Sequence, residues 1–465
     1  MKFLKLKKEL SSKKIIILGF SEEGIDTFIF LRKLFPDKVI GVGDKLENLK
    51  LKSRISNRIK KDRNIVWHLG KNYLKSINKY DLIIKSPGIP FVAPEIRNAF
   101  KQGKITSQTE IFLKYCPGTV IGITGTKGKG TTSSLIYRIL KKEKKRVFLV
   151  GNIGNPSLAF LIKAKPKDIF IYEMSSHQLL GLKQSPNIAV FLNIFPAHLD
   201  YYKNFKEYFS AKKPIFLYQK KNNILIYNKD DKLVKNATKV VRSKKISFSM
   251  QDKNSDCYLS EKYIFYKGKK IMEISDFQLA GKFNLTNLMP GIIIGDIFNI
   301  SRDNLINAVK SFKGLPYRLE FVGKYRGIEF YNDSLATVPE ASASSIEAFG
   351  DRVKTLIAGG FDSGLHYEAL AKKISKNSIE NLILFPPIGK NIASLVKKYS
   401  INRKNGKKIQ YFHVDNMKEA ILLSFKHTSK EGICLLSPGA PSFGVFRDYK
   451  ERGDLFKKYV RIYAR

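Results

Sequence analysis

The segment that most constrains this chain is Thr119-Val120-Ile121-Gly122-Ile123, which runs into Thr124-Gly125-Thr126-Lys127-Gly128-Lys129-Gly130-Thr131-Thr132. A short apolar run closed by a glycine turn reads as a buried strand. Leu135, Ile136, Ile139 and Leu140 then recur at helical spacing. Strand, glycine loop and helix in that order gather backbone N–H groups and a helix N-terminus around one point, which suits a phosphate chain. Glycines let the backbone approach the oxygens without a Cβ clash. Lys129 adds a point charge. The hydroxyl that normally follows such a lysine and holds Mg²⁺ is replaced by Gly130, with Thr131 next. Gly125, Thr126, Lys127, Gly128, Lys129, Gly130 and Thr131 therefore form the first candidate site.

The same strand–turn–helix pattern recurs on both sides, which predicts an α/β protein with mainly parallel sheets. Upstream, Ile15-Ile16-Ile17-Leu18-Gly19 leads into an amphipathic helix, and further strands end at Asp44 and at Ser86-Pro87-Gly88. This is a Rossmann-like order of elements, with binding groups expected at the carboxyl ends of the strands. Further strands end at Asn152, Glu173 and Asn193, and the stretch around 220 to 280 reads as an antiparallel elaboration. A third block starts near Gly314, with strands around 327–331, 354–358, 381–385 and 432–436.

Length and composition narrow the class. A chain of 465 residues predicts about two to four domains. Cys116, Cys257 and Cys434 are too few and too scattered for a disulfide scaffold or zinc site, which fits a reducing cytoplasm. No apolar run reaches the roughly 18 residues of a membrane span. Lys+Arg 84 against Asp+Glu 40 gives a net charge of +44. The lysines are spread along the whole chain without an aromatic nucleic-acid box or zinc-finger spacing, so no nucleic-acid partner is expected.

Other residues carry chemistry by position. Glu173 ends a buried strand, where a carboxylate suits Mg²⁺ beside phosphate oxygens or, equally, a helix N-terminus. His198 in His198-Leu199-Asp200 is a metal ligand, an acid–base group or a hydrogen-bonded turn histidine. Asn284 and Asn287 share a helix face and could read a base edge or cap the helix. Lys212 is one lysine among many.

Taken in order, several motifs resemble those of the Mur ligase family: Gly122-Ile-Thr-Gly125-Thr-Lys-Gly128-Lys129, Asn152-Ile153-Gly154, Glu173-Met-Ser175-Ser176-His-Gln178, His198-Leu-Asp200, Asn284-x-x-Asn287, Gly314-Leu-Pro-Tyr-Arg318, Asn332-Asp333-Ser334 and Leu436-Ser437-Pro438. Ser437-Pro438-Gly439-Ala440-Pro441-Ser442-Phe443 resembles the branch that adds glutamate to UDP-N-acetylmuramoyl-L-alanine. The resemblance implies three domains: a UDP-binding Rossmann-like domain at 1–113, a central ATPase-like domain at 114–313 and a Rossmann-like, glutamate-binding domain at 314–465. It implies ATP-driven amide formation through an acyl phosphate, in peptidoglycan precursor synthesis, by a cytoplasmic monomer with two Mg²⁺ ions. Lys129 and its loop would hold the ATP phosphates. Thr131, Glu173, His198 and a carbamylated Lys212 would hold metal. Asn284 and Asn287 would face adenine, and Arg318 and Asp333 the rest of the nucleotide. Asn152, Ser175 and Gln178 would meet the muramoyl-alanine arm; Ser21, Asp44, Ser86 and Gly88 would lie near UDP; Thr337, Ser442 and Tyr449 would approach glutamate. Two departures bear on the substrate. Lys129-Gly130-Thr131 is similar to folylpolyglutamate synthase loops. Leu335 and the region of Ser363 lack lysines typical of D-glutamate ligases, and the 332–341 segment resembles a branch that adds L-glutamate.

Overall fold

The computed structural model describes residues 2–47, 59, 61–143, 145–198, 201–279, 281, 283–400 and 408–464. Leu199 and Asp200 of the motifs above lie outside the described residues. Three sheets carry the chain. The first contains β1 (Ile15–Leu18), β2 (Ile40–Asp44), β3 (Ile65–Leu69), β4 (Leu82–Lys85) and β5 (Ile105–Thr106), all parallel, in the order β3-β2-β1-β4-β5. β1 and β4 are buried along their whole length, as apolar runs in a sheet covered on both faces require. Among the described residues β3 pairs only with β2, at the sheet edge, and none of its residues is fully buried, although Ile65-Val66-Trp67 is apolar.

The second sheet holds β6 (Thr119–Thr124), β7 (Val147–Gly151), β8 (Ile169–Glu173), β9 (Ile188–Phe191), β10 (Ile224–Asn228), β11 (Lys244–Ser249), β12 (Cys257–Ser260), β13 (Tyr263–Tyr266) and β14 (Lys269–Glu273). Their order is β14-β13-β12-β11-β10-β9-β6-β8-β7. Here the expected antiparallel stretch is corrected: β10, β11 and β12 continue the sheet in parallel, and only β12-β13-β14 is antiparallel. The short helices Pro214–Leu217 and Lys232–Ala237 lie in the connections before and after β10, and each spans too few residues to show a periodicity. The β13–β14 hairpin closes on Lys267 and Gly268, both at positive φ, as a two-residue turn between twisted strands demands.

The third sheet contains β15 (Glu320–Tyr325), β16 (Ile328–Asn332), β17 (Val353–Gly359), β18 (Asn381–Phe385), β19 (Gln410–His413) and β20 (Ile433–Leu436), in the order β15-β16-β20-β17-β18-β19 with only β15 antiparallel. The chain forms two compact units. One comprises Met1–Phe277 with Leu285–Lys310 and contains the first two sheets; the other comprises Gln278–Asn284 with Ser311–Arg465 and contains the third. All three cysteines are buried and unpaired. No helix among the described residues is long and apolar enough to cross a membrane.

Candidate active site

The glycine–lysine loop leaves β6 at Thr124 and enters the helix Lys129–Lys141 through Gly128, whose φ is +86°. A Cβ on Gly128 would fall 2.1 Å from Asn287 Oδ1, so only glycine fits. Asn287 also accepts from Thr132 Oγ1 at 3.5 Å. Its carbonyl thus buttresses the loop. Asn284 belongs to the segment of the second unit and is buried.

The loop is narrower than a fully open phosphate cradle. The Thr126 and Lys127 N–H groups both donate to Asn193 Oδ1 at 3.0 Å, and Asn193 Nδ2 donates to Lys127 O at 3.1 Å. A turn pressed against the end of β9 must pair its donors, so the first turn of the following helix, with Gly130 and Thr131 buried in it, becomes the part that can meet an anion. Tyr208 OH braces the loop by donating to Thr126 Oγ1 at 3.2 Å.

Three charged groups converge on this loop. Lys129 Nζ donates to Gly125 O and Thr126 O, both at 3.1 Å. Lys212 Nζ reaches the same Gly125 carbonyl at 3.0 Å and lies 3.4 Å from Thr124 Oγ1. Lys212 ends the helix Phe205–Lys212, whose start is capped by Asn204, and it is 1% exposed. Burial pushes its ammonium well below the usual lysine range; the Lys129 charge lowers it further, and Glu173 opposes both. Glu173, the last residue of β8, pairs with Ile123 of β6, and this strand register carries its carboxylate to the loop. Asn152 Nδ2 donates to Glu173 Oε1 at 3.1 Å and holds it. Lys129 and Glu173 can balance each other's charge at this loop, while Lys212 beside them is held toward its neutral form. His198 is exposed at φ +56°, its ring 5.3 Å from that of His177 and 5.9 Å from that of Tyr208.

Ser175 and Gln178 pair with each other. They form a capping box on the short helix Ser176–Leu179: Gln178 N donates to Ser175 Oγ at 3.2 Å and Ser175 N to Gln178 Oε1 at 3.0 Å. The Gln178 amide then donates to Glu23 Oε1 at 2.6 Å. At the first sheet, the carboxyl ends of three strands are stitched together. Asp44 accepts from Phe20 N at 2.7 Å and Leu46 N at 2.9 Å, and Ser86 Oγ donates to Gly19 O at 2.7 Å. Ser21 and Gly88 are exposed at these ends, and Ser21 opens the helix Glu22–Leu34 without spending its hydroxyl on a cap.

In the second unit, Asp333 is wholly enclosed. Its carboxylate accepts from Ser345 Oγ at 2.6 Å, Ser437 Oγ at 2.8 Å and Leu319 N at 3.1 Å. Burial raises its pKa to about 6 against those hydrogen bonds. Asp333 therefore ties the strand ends of this unit together. Arg318 is exposed, and its charge acts on Asp333. Thr337 is half-buried and Ser442 buried. The Tyr449 ring lies 5.7 Å from that of Tyr317. Leu335 is 40% exposed, so an apolar side chain stands where the sequence comparison led us to look for a lysine.

Four residues that matter here escaped the sequence reading. Asn193 was visible as a polar strand end, but nothing local marked it as the clamp of the loop. Glu23, Asp26 and Gln108 looked like ordinary polar residues near helix starts.

A parallel sheet that ends in a glycine–lysine loop, with a buried lysine and a strand-tip carboxylate converging on it, has the form of a nucleotide-phosphate site. Residues 123–295 match the Mur ligase middle domain. The chain is 33% identical over 472 residues, covering 99% of both sequences, to the UDP-N-acetylmuramoylalanine–D-glutamate ligase of Clostridium tetani. It is 34% identical over 460 residues to the ligase of that name from Clostridium botulinum strain 657, covering 98% of each. The chain belongs to the Mur ligase family, whose members are ATP-dependent ligases. In fold it is similar to the MurF ligase of Thermotoga maritima solved with ADP, at a TM-score of 0.57 and 17% identity over 98% of this chain and 97% of the other. The MurC ligase of the same organism aligns at a TM-score of 0.56 and 17% identity over 97% and 99%.

Proposed function

We propose that this chain joins glutamate to UDP-N-acetylmuramoyl-L-alanine with hydrolysis of ATP to ADP and phosphate, residues 1–113 taking the nucleotide-sugar, 114–313 the ATP and 314–465 the amino acid. The observation that carries the reading is the meeting of Lys129, Lys212 and Glu173 at one loop. The names of the relatives support glutamate as the added amino acid, in its D form.

The chemistry asks the protein for position and charge neutralisation. The substrate carboxylate attacks the γ-phosphorus and ADP leaves. The glutamate amine then attacks the acyl phosphate carbonyl, loses a proton and expels phosphate. Lys129 and the helix N-terminus hold the phosphates, and Ser175 with Asn152 shapes the approach of the acyl arm. Arg318 supports the nucleotide, and Thr337, Ser442 and Tyr449 form the amino-acid side.

The residues present fit Mg²⁺, which binds through one or two carboxylates plus phosphate oxygens. Among the described residues no group of three or more His, Cys, Asp or Glu could hold a metal alone, so an Mg²⁺ ion bound here would also need substrate phosphate oxygens. Glu173, Thr131, His198 and Lys212 would hold two such ions, which neutralise charge on the transferring phosphoryl group. Lys212 suits this as a carbamate: burial favours its neutral amine, a neutral amine adds CO₂ with release of one proton, and the anion formed converts a repelled cation into a metal ligand.

The test is ADP release by the purified chain with ATP, Mg²⁺ and UDP-N-acetylmuramoyl-L-alanine, given D-glutamate or L-glutamate. Turnover with D-glutamate is expected. The second reading, the L-form, rests on the resemblance of the 332–341 segment, with Leu335 in place of a lysine, and turnover with L-glutamate alone would establish it. Turnover with neither ends the proposal.

A further inference from the structure

Two acids on the helix Glu22–Leu34 reach out of the first sheet into the second. Glu23 Oε1 accepts from Gln178 Nε2 at 2.6 Å. Asp26 accepts from the Leu158 and Ala159 N–H groups and from Gln108 Nε2, the last at 2.8 Å. Gln108 also donates to Glu23 O at 3.3 Å and accepts from Ser157 N at 3.3 Å. Tyr172 OH, fully buried, meets Thr109 Oγ1 at 3.0 Å and Ser157 Oγ at 3.2 Å. The loop that begins at Asn152 and the segment 175–178 are therefore both hung on one helix of the first sheet by partly buried hydrogen bonds.

That helix is itself locked to the β1 turn, since a Cβ on Gly24 would fall 2.1 Å from Gly19 O. A buried polar seam is costlier to form than an apolar one, but it tolerates a single alignment where apolar surfaces can slide. A ligand held at both ends gains from its second contact only when the two sites stand at the right spacing.

We propose that Glu23 is a positioning residue. By holding the Gln178 amide, it sets the distance between the β1 turn and the Ser175–Gln178 loop, and so the spacing at which a long nucleotide-sugar acid is gripped at its two ends. Gln178 passes this on to Ser175 N, two residues from Glu173. The inference rests on the functional reading above.

Glu23→Asp and Glu23→Gln separate geometry from charge. Aspartate keeps the charge but withdraws the carboxylate by one methylene. Glutamine loses the charge but keeps an oxygen that can accept the Gln178 bond. We expect Glu23→Asp to raise KM for UDP-N-acetylmuramoyl-L-alanine about tenfold, with kcat and KM for ATP unchanged, and Glu23→Gln to match the wild type. With no substrate present, amide hydrogen exchange at 175–178 is expected to quicken in Glu23→Asp and not in Glu23→Gln. The role of Glu23 is overturned if Glu23→Gln is the more damaged variant, which would point to the nearby Lys85 charge, if KM for ATP rises equally, or if exchange at 175–178 is unchanged in both. Loss of the exchange contrast sinks the positioning role alone; a wild-type chain that shows the contrast but no nucleotide-sugar-dependent ADP release sinks the functional reading alone.

Discussion

Lys212 and Arg452 are both buried cations, 1% and 0% exposed, yet their surroundings differ. Arg452 is satisfied: Nε donates to Ser334 Oγ at 3.0 Å, Nη1 to Ala440 O at 3.1 Å and Nη2 to Ser334 O at 2.9 Å, and the Asp333 charge favours its protonated form. Burial still lowers its pKa to about 9, which leaves it charged at neutral pH. Lys212 shares one carbonyl with a second ammonium and is pushed toward the neutral amine. A planar guanidinium with its donors paired serves structure, whereas a crowded amine at a phosphate-type loop is poised for chemistry.

The sharpest way to break this contrast is to replace both by methionine. Lys212→Met should lower glutamate-dependent ADP release about a thousandfold, the scale of removing an electrostatic contact to a transition state, while its unfolding temperature holds or rises. Arg452→Met should do the reverse in stability, removing about 4 kcal/mol by leaving the Ser334 hydroxyl and two buried carbonyls, Ser334 O and Ala440 O, without their charged donor, as read by calorimetry of the whole chain. A destabilised Lys212→Met with normal turnover would overturn the distinction.

The third prediction concerns Asp333, the acid facing Arg452. Its folded pKa, about 6, lies above the ordinary carboxylate value of 3.8, so the folded state binds its proton more tightly. The stability this contributes is fully present below pH ~4 and is lost as pH rises to about 6. The loss is about 3 kcal/mol. Asp333→Asn should remove this slope, so that the gap in unfolding temperature between variant and wild type shifts in the variant's favour across that window. The smallest effect is expected at Gly128. Gly128→Ala should cost about 1–2 kcal/mol for a Cβ in the left-handed region, and it should weaken ATP binding by pushing Asn287 away from the loop. Unchanged ATP affinity by calorimetric titration would show that the Asn287 contact does not shape the site.

Much of the site was legible because its parts are contiguous. The strand, glycine loop and helix at 119–141 are local in sequence, and local periodicity and glycine placement report them directly. The same holds for β1, β4, β8 and β20, whose apolar runs are buried on both faces. The edge strand β3 and the parallel run β10-β11-β12 were not legible, the first because Ile65-Val66-Trp67 is too short an apolar run to tell strand from helix, and the second because pairing direction is set by connections whose helices are too short to show a pattern. Asp333, Ser175 and Gln178 were correctly seen as special, but their hydrogen bonds turn them inward.

From the chain alone came the order of the strands and helices, the phosphate-type loop and the acid that ends β8, since each is written in neighbouring residues. Only the tertiary structure decided that Lys212, among 84 Lys and Arg residues, is the one buried beside Lys129, and that Glu23 grips a loop 155 residues away. The physical reason is that burial and charge proximity belong to the packed chain: a lysine's pKa and a glutamate's partner are set by what surrounds them in space, and sequence distance carries no record of it.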